Sequence, residues 1–335
     1  MFTQSASITL LPQPGAVAQT ALQVRIHARR DEAQNVLSLD LRSVDGSPLP
    51  PFNAGAHVEV ELPNGLSRSY SLVNTPLETH RYVIAVNRDR SSRGGSQFIH
   101  EQLQAGDFLS ISAPRNHFPL AEDAQCTVMF AGGIGVTPLY SMAQRLDVLQ
   151  RPWEMHYFAR SRANAAFAEA LVQLASRGHC SMHFHFDDAA GSRTELARRI
   201  ASAPAFAHLY CCGPAPMLDA FVDACRPRPA THVHLERFAA DEAPAVEGGF
   251  DVVLARSEKT IRIAPGQTIL DAVLARGVDA PHSCQEGVCG SCETRVLEGE
   301  PDHRDSVLGP DERASKQTMM ICCSGCKSAT LVLDL

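Results

Sequence analysis

The chain has 335 residues, 44% of them hydrophobic and 20% charged, with a net charge of −7. That length allows two or three domains with separate cores, and the acidic balance leaves no basic footprint for nucleic acid. No apolar run approaches the roughly 20 residues of a membrane-crossing helix, and residues 1–20 lack the Lys or Arg and the apolar core of a secretory signal.

Residues 1–20, with Pro12, Pro14 and Gly15, read as an N-terminal extension. From 21 to 122 short alternating runs at 24–26, 36–41, 57–62 and 82–86 read as half-buried strands. Asp45-Gly46 and Asn64-Gly65 are turn dipeptides between them, and 96–103 reads as a helix. This is the pattern of a small antiparallel barrel. Arg68-Ser69-Tyr70-Ser71-Leu72 ends one of its strands. An aromatic ring there can lie on an isoalloxazine face while Arg68 neutralises a phosphate. A surface strand with a solvated arginine would look the same. Arg93-Gly94-Gly95-Ser96 ends a loop and opens a helix, where free amides and a hydroxyl can cradle a phosphate; an ordinary glycine turn is the plainer reading.

From 123 to 240 the rhythm becomes strand, glycine-rich turn, helix. Strands are expected at 126–131, 154–159, 181–186 and 207–212, and helices at 139–149 and 165–175. The order predicts a doubly wound parallel sheet. Gly132-Gly133-Ile134-Gly135 lets backbone approach a dinucleotide, although it is not G-x-G-x-x-G. Cys211-Cys212-Gly213-Pro214-Ala215-Pro216-Met217 follows the last strand and precedes a helix, on the side where open α/β sheets bind ligands. A cysteine there can equally be inert core.

Residues 241–249 are acidic and small, as a linker should be, and a third unit occupies 250–335. Strands at 250–255 and 260–263, a helix at 268–275 and strands near 292–297 and 319–335 outline a β-grasp fold. Between them lie Cys284, Cys289 and Cys292, followed after 29 residues by Cys322. C-x4-C-x2-C…C is the plant-type spacing of a 2Fe–2S cluster, which needs four thiolates and carries electrons singly. Three ligands come from one loop and the fourth from a distant strand. Structural zinc favours two short cysteine pairs, and only one C-x2-C pair exists here. Cys322 and Cys323 are adjacent, and strand alternation does not choose between them. Thiolate ligands call for a reducing compartment, so the chain is expected in the cytoplasm, with its other cysteines as small buried hydrophobes.

The combination R-S-Y-S-L, R-G-G-S, G-G-I-G-V-T-P, C-C-G-P-A-P-M and C-x4-C-x2-C…C, in this order over nearly the whole chain, resembles the phthalate dioxygenase reductase family. That family includes the reductase components of vanillate O-demethylase and related Rieske oxygenases. The resemblance implies an FMN-binding barrel at 21–122, an NAD-binding domain at 123–240 and a ferredoxin domain at 250–335. It implies Arg68, Ser69, Tyr70 and Ser71 on the flavin, with Ala85, Val86 and Asn87 along the isoalloxazine and Arg93, Gly94, Gly95 and Ser96 on its phosphate. It places Thr137 near the reactive flavin edge and Phe238 beside the ring, and makes Tyr70, Thr137 and Cys212 the catalytic candidates. Gly133, Arg160, Cys212, Gly213 and Pro214 match the NAD site, and Asp187 matches the adenosine ribose contact, favouring NADH over NADPH. It makes Cys322 the fourth ligand. The implied activity is electron transfer from NADH through FMN and the cluster, one at a time, to a Rieske oxygenase acting on an aromatic, carboxylate-bearing substrate. The chain is expected to act as a monomer. A di-iron monooxygenase or a P450 could be served by the same reductase, and a redox sensor without turnover is the non-enzymatic alternative.

Overall fold

The computed structural model describes residues 21–88, 94–178, 180–186, 189–238, 243–282 and 284–335. In the first unit, β1 (Leu22–Ala33), β2 (Val36–Ser43), β3 (His57–Glu61), β4 (Ser67–Ser71), β5 (Tyr82–Asn87) and β6 (Phe108–Ile111) form an antiparallel sheet. Its order is β4-β3-β6-β1-β2-β5, and a bridge between Leu72 and Ile84 closes it into a barrel. Period-two alternation drives this closure. Leu37, Leu39 and Leu41 of β2 fill the interior, while Asp40 turns the other way and pairs with Arg42 and Arg81 at 3.0 and 3.1 Å. The helix α1 (Gly95–Gln102) lies across the barrel and buries Ile99 in the same core.

The second unit contains β7 (Thr127–Gly132), α2 (Val136–Val148), β8 (Trp153–Ala159), α3 (Ala168–Ala175), β9 (Ser181–Phe186), α4 (Ala189–Ser202), β10 (His208–Cys212), α5 (Ala215–Cys225) and β11 (Val233–Glu236). All neighbours in the order β11-β10-β7-β8-β9 are parallel. Val128 and Phe130 of β7 enter one core, and Met129 and Ala131 enter the other, so the central strand is buried on both faces. Chain order reverses between β7 and β10, and a crevice opens at their C-terminal ends. The helix after β7 begins at Val136 rather than 139, because Pro138 is tolerated in a first turn that has no amide partner to lose. The reading of the sequence did not anticipate α4, whose first residues include Gly191 and Ser192, or the four-residue β11.

The third unit has β12 (Asp251–Leu254), β13 (Lys259–Arg262), α6 (Ile269–Ala275), β14 (Glu293–Glu298), β15 (Pro301–Asp302), α7 (Pro310–Ser315), β16 (Thr318–Met320), β17 (Gly325–Cys326) and β18 (Thr330–Leu333). Its main sheet runs β13-β12-β18-β14-β16, with β12 and β18 parallel and α6 packed on the apolar face through Ile269, Leu270 and Val273. Thr268 caps α6, its hydroxyl accepting from the Asp271 amide at 3.1 Å while the Asp271 carboxylate accepts from the Thr268 amide. The expected long strand from 319 is instead broken into three. The amide of Ser324 bonds the Met320 carbonyl at 2.9 Å, so Cys322 sits in a turn after β16 and not on a strand. This is why alternation could not separate it from Cys323.

The described part of the expected linker is tied to the third unit. The Ala245 amide bonds the Cys323 carbonyl and the Gly266 amide bonds the Val246 carbonyl, both at 2.7 Å. The first two units meet through Val36, Val73, Ala85 and Ala166, with Ser141 donating to the Asn74 carbonyl at 3.0 Å. Among the described residues no helix is long and apolar enough to cross a membrane.

Candidate functional site

Three groups of residues converge where the units meet. On the barrel, β4 carries Arg68, Ser69, Tyr70 and Ser71 along its length. The Arg68 stem lies across the start of α1. A Cβ at Gly95 would stand 2.9 Å from Arg68 Nε and 3.0 Å from its Cγ, so the glycine lets the arginine side chain lie close against this helix end. Gly94 enters α1 at φ 94° with no side-chain cap, so the first turn of the helix presents its amides beside the Arg68 stem. Arg68 and the R-G-G-S segment are therefore one locus, suited to a phosphate. Arg93 lies outside the described residues. Ser69 has a buried hydroxyl with no hydrogen-bond partner among the described residues, an orphan that a flavin's polar edge would satisfy. Burial pushes the Tyr70 hydroxyl up, keeping it neutral. Ser71 is buried, and Val86 and Ala85 are buried too, the first in the barrel core and the second against the neighbouring unit. They can offer only backbone to a ring, whereas Asn87 opens onto a cavity.

That cavity, of about 1160 Å³, runs along the C-terminal ends of β7, β8 and β10. Gly133, Arg160, Gly213, Pro214 and Phe238 line it as the sequence reading expected. Two glycine-bearing turns make it possible. A Cβ at Gly135 would lie 2.2 Å from the Cys212 carbonyl oxygen, and one at Gly132 would lie 2.7 Å from Pro214 Cδ. Gly133 has φ +53° and open space beside it, so it faces the cavity with bare backbone. Thr137 is buried and spends its hydroxyl on the Ile134 carbonyl at 2.9 Å, locking the turn that enters α2. Asp187 lies outside the described residues.

Cys212 has no exposed surface, and burial beside Glu236 pushes its thiol far up, so it is neutral. Its sulfur is 4.0 Å from Glu236 Oε2. Burial raises the Glu236 carboxyl to about 8, which leaves a protonated acid at the end of β11. The sequence reading did not single out Glu236, nor Gln34, Asn35 and Gln97, which bring barrel side chains into the cavity. Only the approach of two units in space brings Gln34, Asn35 and Gln97 to β7 and β10, whereas Glu236 reaches Cys212 through the pairing of β10 with β11.

In the third unit Cys284, Cys289, Cys292 and Cys322 are all buried. Cys284 and Cys289 lie within hydrogen-bond reach of each other, as do Cys292 and Cys322. Among the described residues no three His, Cys, Asp or Glu side chains gather into a single-ion site. Two thiol pairs fit a two-iron group, one pair per metal, better than one tetrahedral zinc. The Glu286 amide points at Cys284 Sγ at 3.3 Å, and the Gly287 amide reaches Cys322. Amides aimed at sulfur suit thiolate ligands. The Cys323 thiol lies within hydrogen-bond reach of Cys322 and 3.7 Å from the Met320 carbonyl, and it packs on Gly287, where a Cβ would come within 2.5 Å of its sulfur.

The chain matches the family described as 2Fe-2S iron-sulfur cluster binding domain over residues 252–327. It is 53% identical to phenoxybenzoate dioxygenase subunit beta of Ectopseudomonas oleovorans over 96% of this chain and 99% of that one. Among solved structures it is similar to phthalate dioxygenase reductase, described as modular for electron transfer from pyridine nucleotides to 2Fe-2S, with 38% identity, a TM-score of 0.71 and coverage of 94% and 98%. It is also similar to an intact type IV self-sufficient cytochrome P450 monooxygenase, with 38% identity and a TM-score of 0.84, covering 97% of this chain but only 43% of that longer one.

Proposed function

Because the chain belongs to the phthalate dioxygenase reductase family, we propose that its three units form one electron path from NADH to an oxygenase. The protein is an NADH-dependent oxidoreductase, the reductase component of an oxygenase system, using FMN and a 2Fe–2S cluster. Those groups, when bound, supply hydride acceptance and single-electron relay. Everything else is positioning by the chain. Arg68 and residues 94–96 would hold the flavin phosphate, Ser69 and Tyr70 its ring, and Gly133, Arg160, Gly213 and Pro214 the dinucleotide. Phe238, 40% exposed at the cavity, would cover the ring and yield to nicotinamide. Cys212 is buried behind Gly213 and, being neutral, adds no charge to the cleft. Cys284, Cys289, Cys292 and Cys322 would ligate the irons in pairs.

The observation that carries this reading is the coexistence, in one chain, of a cavity at a sheet's topological switch point and four buried thiols in two pairs. The reading divides the chain into an extension at 1–20, a flavin domain at 21–122, an NAD domain at 123–240, a linker at 241–249 and a ferredoxin domain at 250–335. The protein acts as a cytoplasmic monomer and hands electrons to a Rieske oxygenase whose substrate is an aromatic carboxylate. Anaerobic addition of one equivalent of NADH should bleach the flavin absorbance first and the cluster absorbance second. Rapid turnover with ferricyanide excludes a sensor, and absence of any NADH-driven bleaching overturns the reading. The likeness to the reductase part of a self-sufficient P450 favours a P450 as the second choice of acceptor. Product formation on mixing with a purified Rieske oxygenase or a P450 decides between them.

A further inference from the structure

We propose that Glu59, Arg115 and His117 on the barrel rim are positioning residues that clamp the cysteine loop against the flavin locus and so set the rate of flavin-to-cluster electron transfer. The inference rests on the electron path proposed above. Glu59 lies on β3 directly opposite Ser69 of β4, the residue with the orphan hydroxyl, so both face the same side of the barrel. Arg115 Nη1 donates to Glu59 Oε1 at 2.8 Å and to Ser291 Oγ at 2.6 Å, and the Ser291 hydroxyl donates to Glu59 Oε1. Ser291 sits between Cys289 and Cys292, and its Oγ is 3.2 Å from Cys289 Sγ. His117 donates to the Cys289 backbone carbonyl. Gly290, at φ +74°, brings its Cα against that imidazole, since a Cβ there would be 2.9 Å from His117 Nε2.

The rim itself is fixed. His57 and Arg115 exchange both backbone hydrogen bonds, at 2.9 and 3.0 Å, and the rings of His57 and His117 are 5.5 Å apart. Glu59 is 9% exposed, so the ion pair is largely shielded from water and is held by three charge-assisted bonds. These contacts link two segments 176 residues apart in sequence, and they fall on the loop that supplies three of the four sulfurs. The step concerned moves one electron from reduced flavin to oxidised cluster, and no bond between them forms or breaks. Its rate therefore depends on how closely and how rigidly the two loci are held.

The test uses the full chain loaded with flavin and cluster. In Arg115→Gln, cluster bleaching by NADH should slow more than about tenfold, while flavin bleaching stays within about twofold of the unaltered protein, because a displacement of roughly 1 Å away from the hydride site costs only the step that spans it. Arg115→Lys should recover part of the loss. Hydrogen exchange at the amides of residues 288–292 should rise in Arg115→Gln, with the cluster's low-temperature EPR line shape retained. Glu59→Gln gives the same readings should Arg115→Gln fail to fold. Unchanged cluster bleaching, or unchanged exchange in that loop, overturns the proposal. If the unaltered protein shows no NADH-driven cluster bleaching, it is the electron path itself that fails.

Discussion

Three of the four proposed cluster sulfurs come from the nine residues 284–292, whereas the cavity of the second unit takes its wall from the ends of β7, β8 and β10, the segment after β11 and two edges of the barrel. In the first case covalent continuity fixes most of the geometry. Gly287 and Gly290 adopt positive φ, and the loop folds its own amides onto its own sulfurs. In the second, each contributing residue is held by a different strand, and the geometry exists only once the sheet and the barrel have packed. The two sites should therefore fail differently: the first through its donors, the second through its backbone spacing.

Cys289→Ser should break the comparison most completely. Losing one thiolate of a pair should abolish NADH-dependent cytochrome c reduction and the visible absorbance of the cluster, with NADH–ferricyanide activity spared. Equal loss of both activities with flavin retained would mean that the two sites are not in series. Gly135→Ala attacks the cleft where it depends on spacing. The new Cβ meets a carbonyl at 2.2 Å, and overpacking of this kind costs about 1–3 kcal/mol. A fall in Tm together with weakened NADH binding is expected, both measurable on the same preparation; an unchanged KM would show that the two turns can part without harm. Arg160→Ala removes one charged contact from the cavity wall. Its KM for NADH should rise roughly tenfold, the worth of a hydrogen bond to a charged group, with the ratio of cytochrome c to ferricyanide reduction unchanged.

The smallest effect concerns Glu236. Its carboxyl is raised to about 8 from an ordinary 4.5, so the folded chain holds a proton that the unfolded chain releases. That contribution to stability is full below about 4.5 and is lost as pH rises toward 8, following the excess protons bound by the folded state. Glu236→Gln should flatten the fall in Tm between pH 5.5 and 8, most visibly at the alkaline end. A parallel pair of Tm–pH curves would count against a protonated acid there.

The contrast also explains what could be read in advance. The first three proposed cluster ligands, the barrel strands and the glycine turn after β7 announce themselves because each is local, while only the family resemblance favours Cys322 over Cys323. The fold class of all three units follows from alternation and from the strand–turn–helix rhythm. Gln34, Asn35 and Gln97 join the cleft only through the approach of separate elements, Glu236 meets Cys212 only through the β10–β11 pairing, and no spacing signals any of them. Glu59 and Arg115 are the extreme case. Along the chain they are charges in and beside barrel strands, and Ser291 is a small residue in a loop. Thr137 shows the reverse, a motif residue whose hydroxyl is already committed to its own turn. The break of the last strands around Cys322 was hidden by the apolar run 319–323, which suits a strand as well as it suits a buried turn.

The bonds from Ala245 and Val246 into the third unit bear on how that unit could be separated. A protease cutting at Gly248 or Gly249 would leave behind the segment whose amide satisfies the Cys323 carbonyl, next to Cys322. The released fragment would carry an exposed acceptor one residue from Cys322, and a cut N-terminal to Ala245 would not. The ferredoxin-like part is thus chemically longer than its sheet, and its upstream edge is a lid for the turn that bears Cys322.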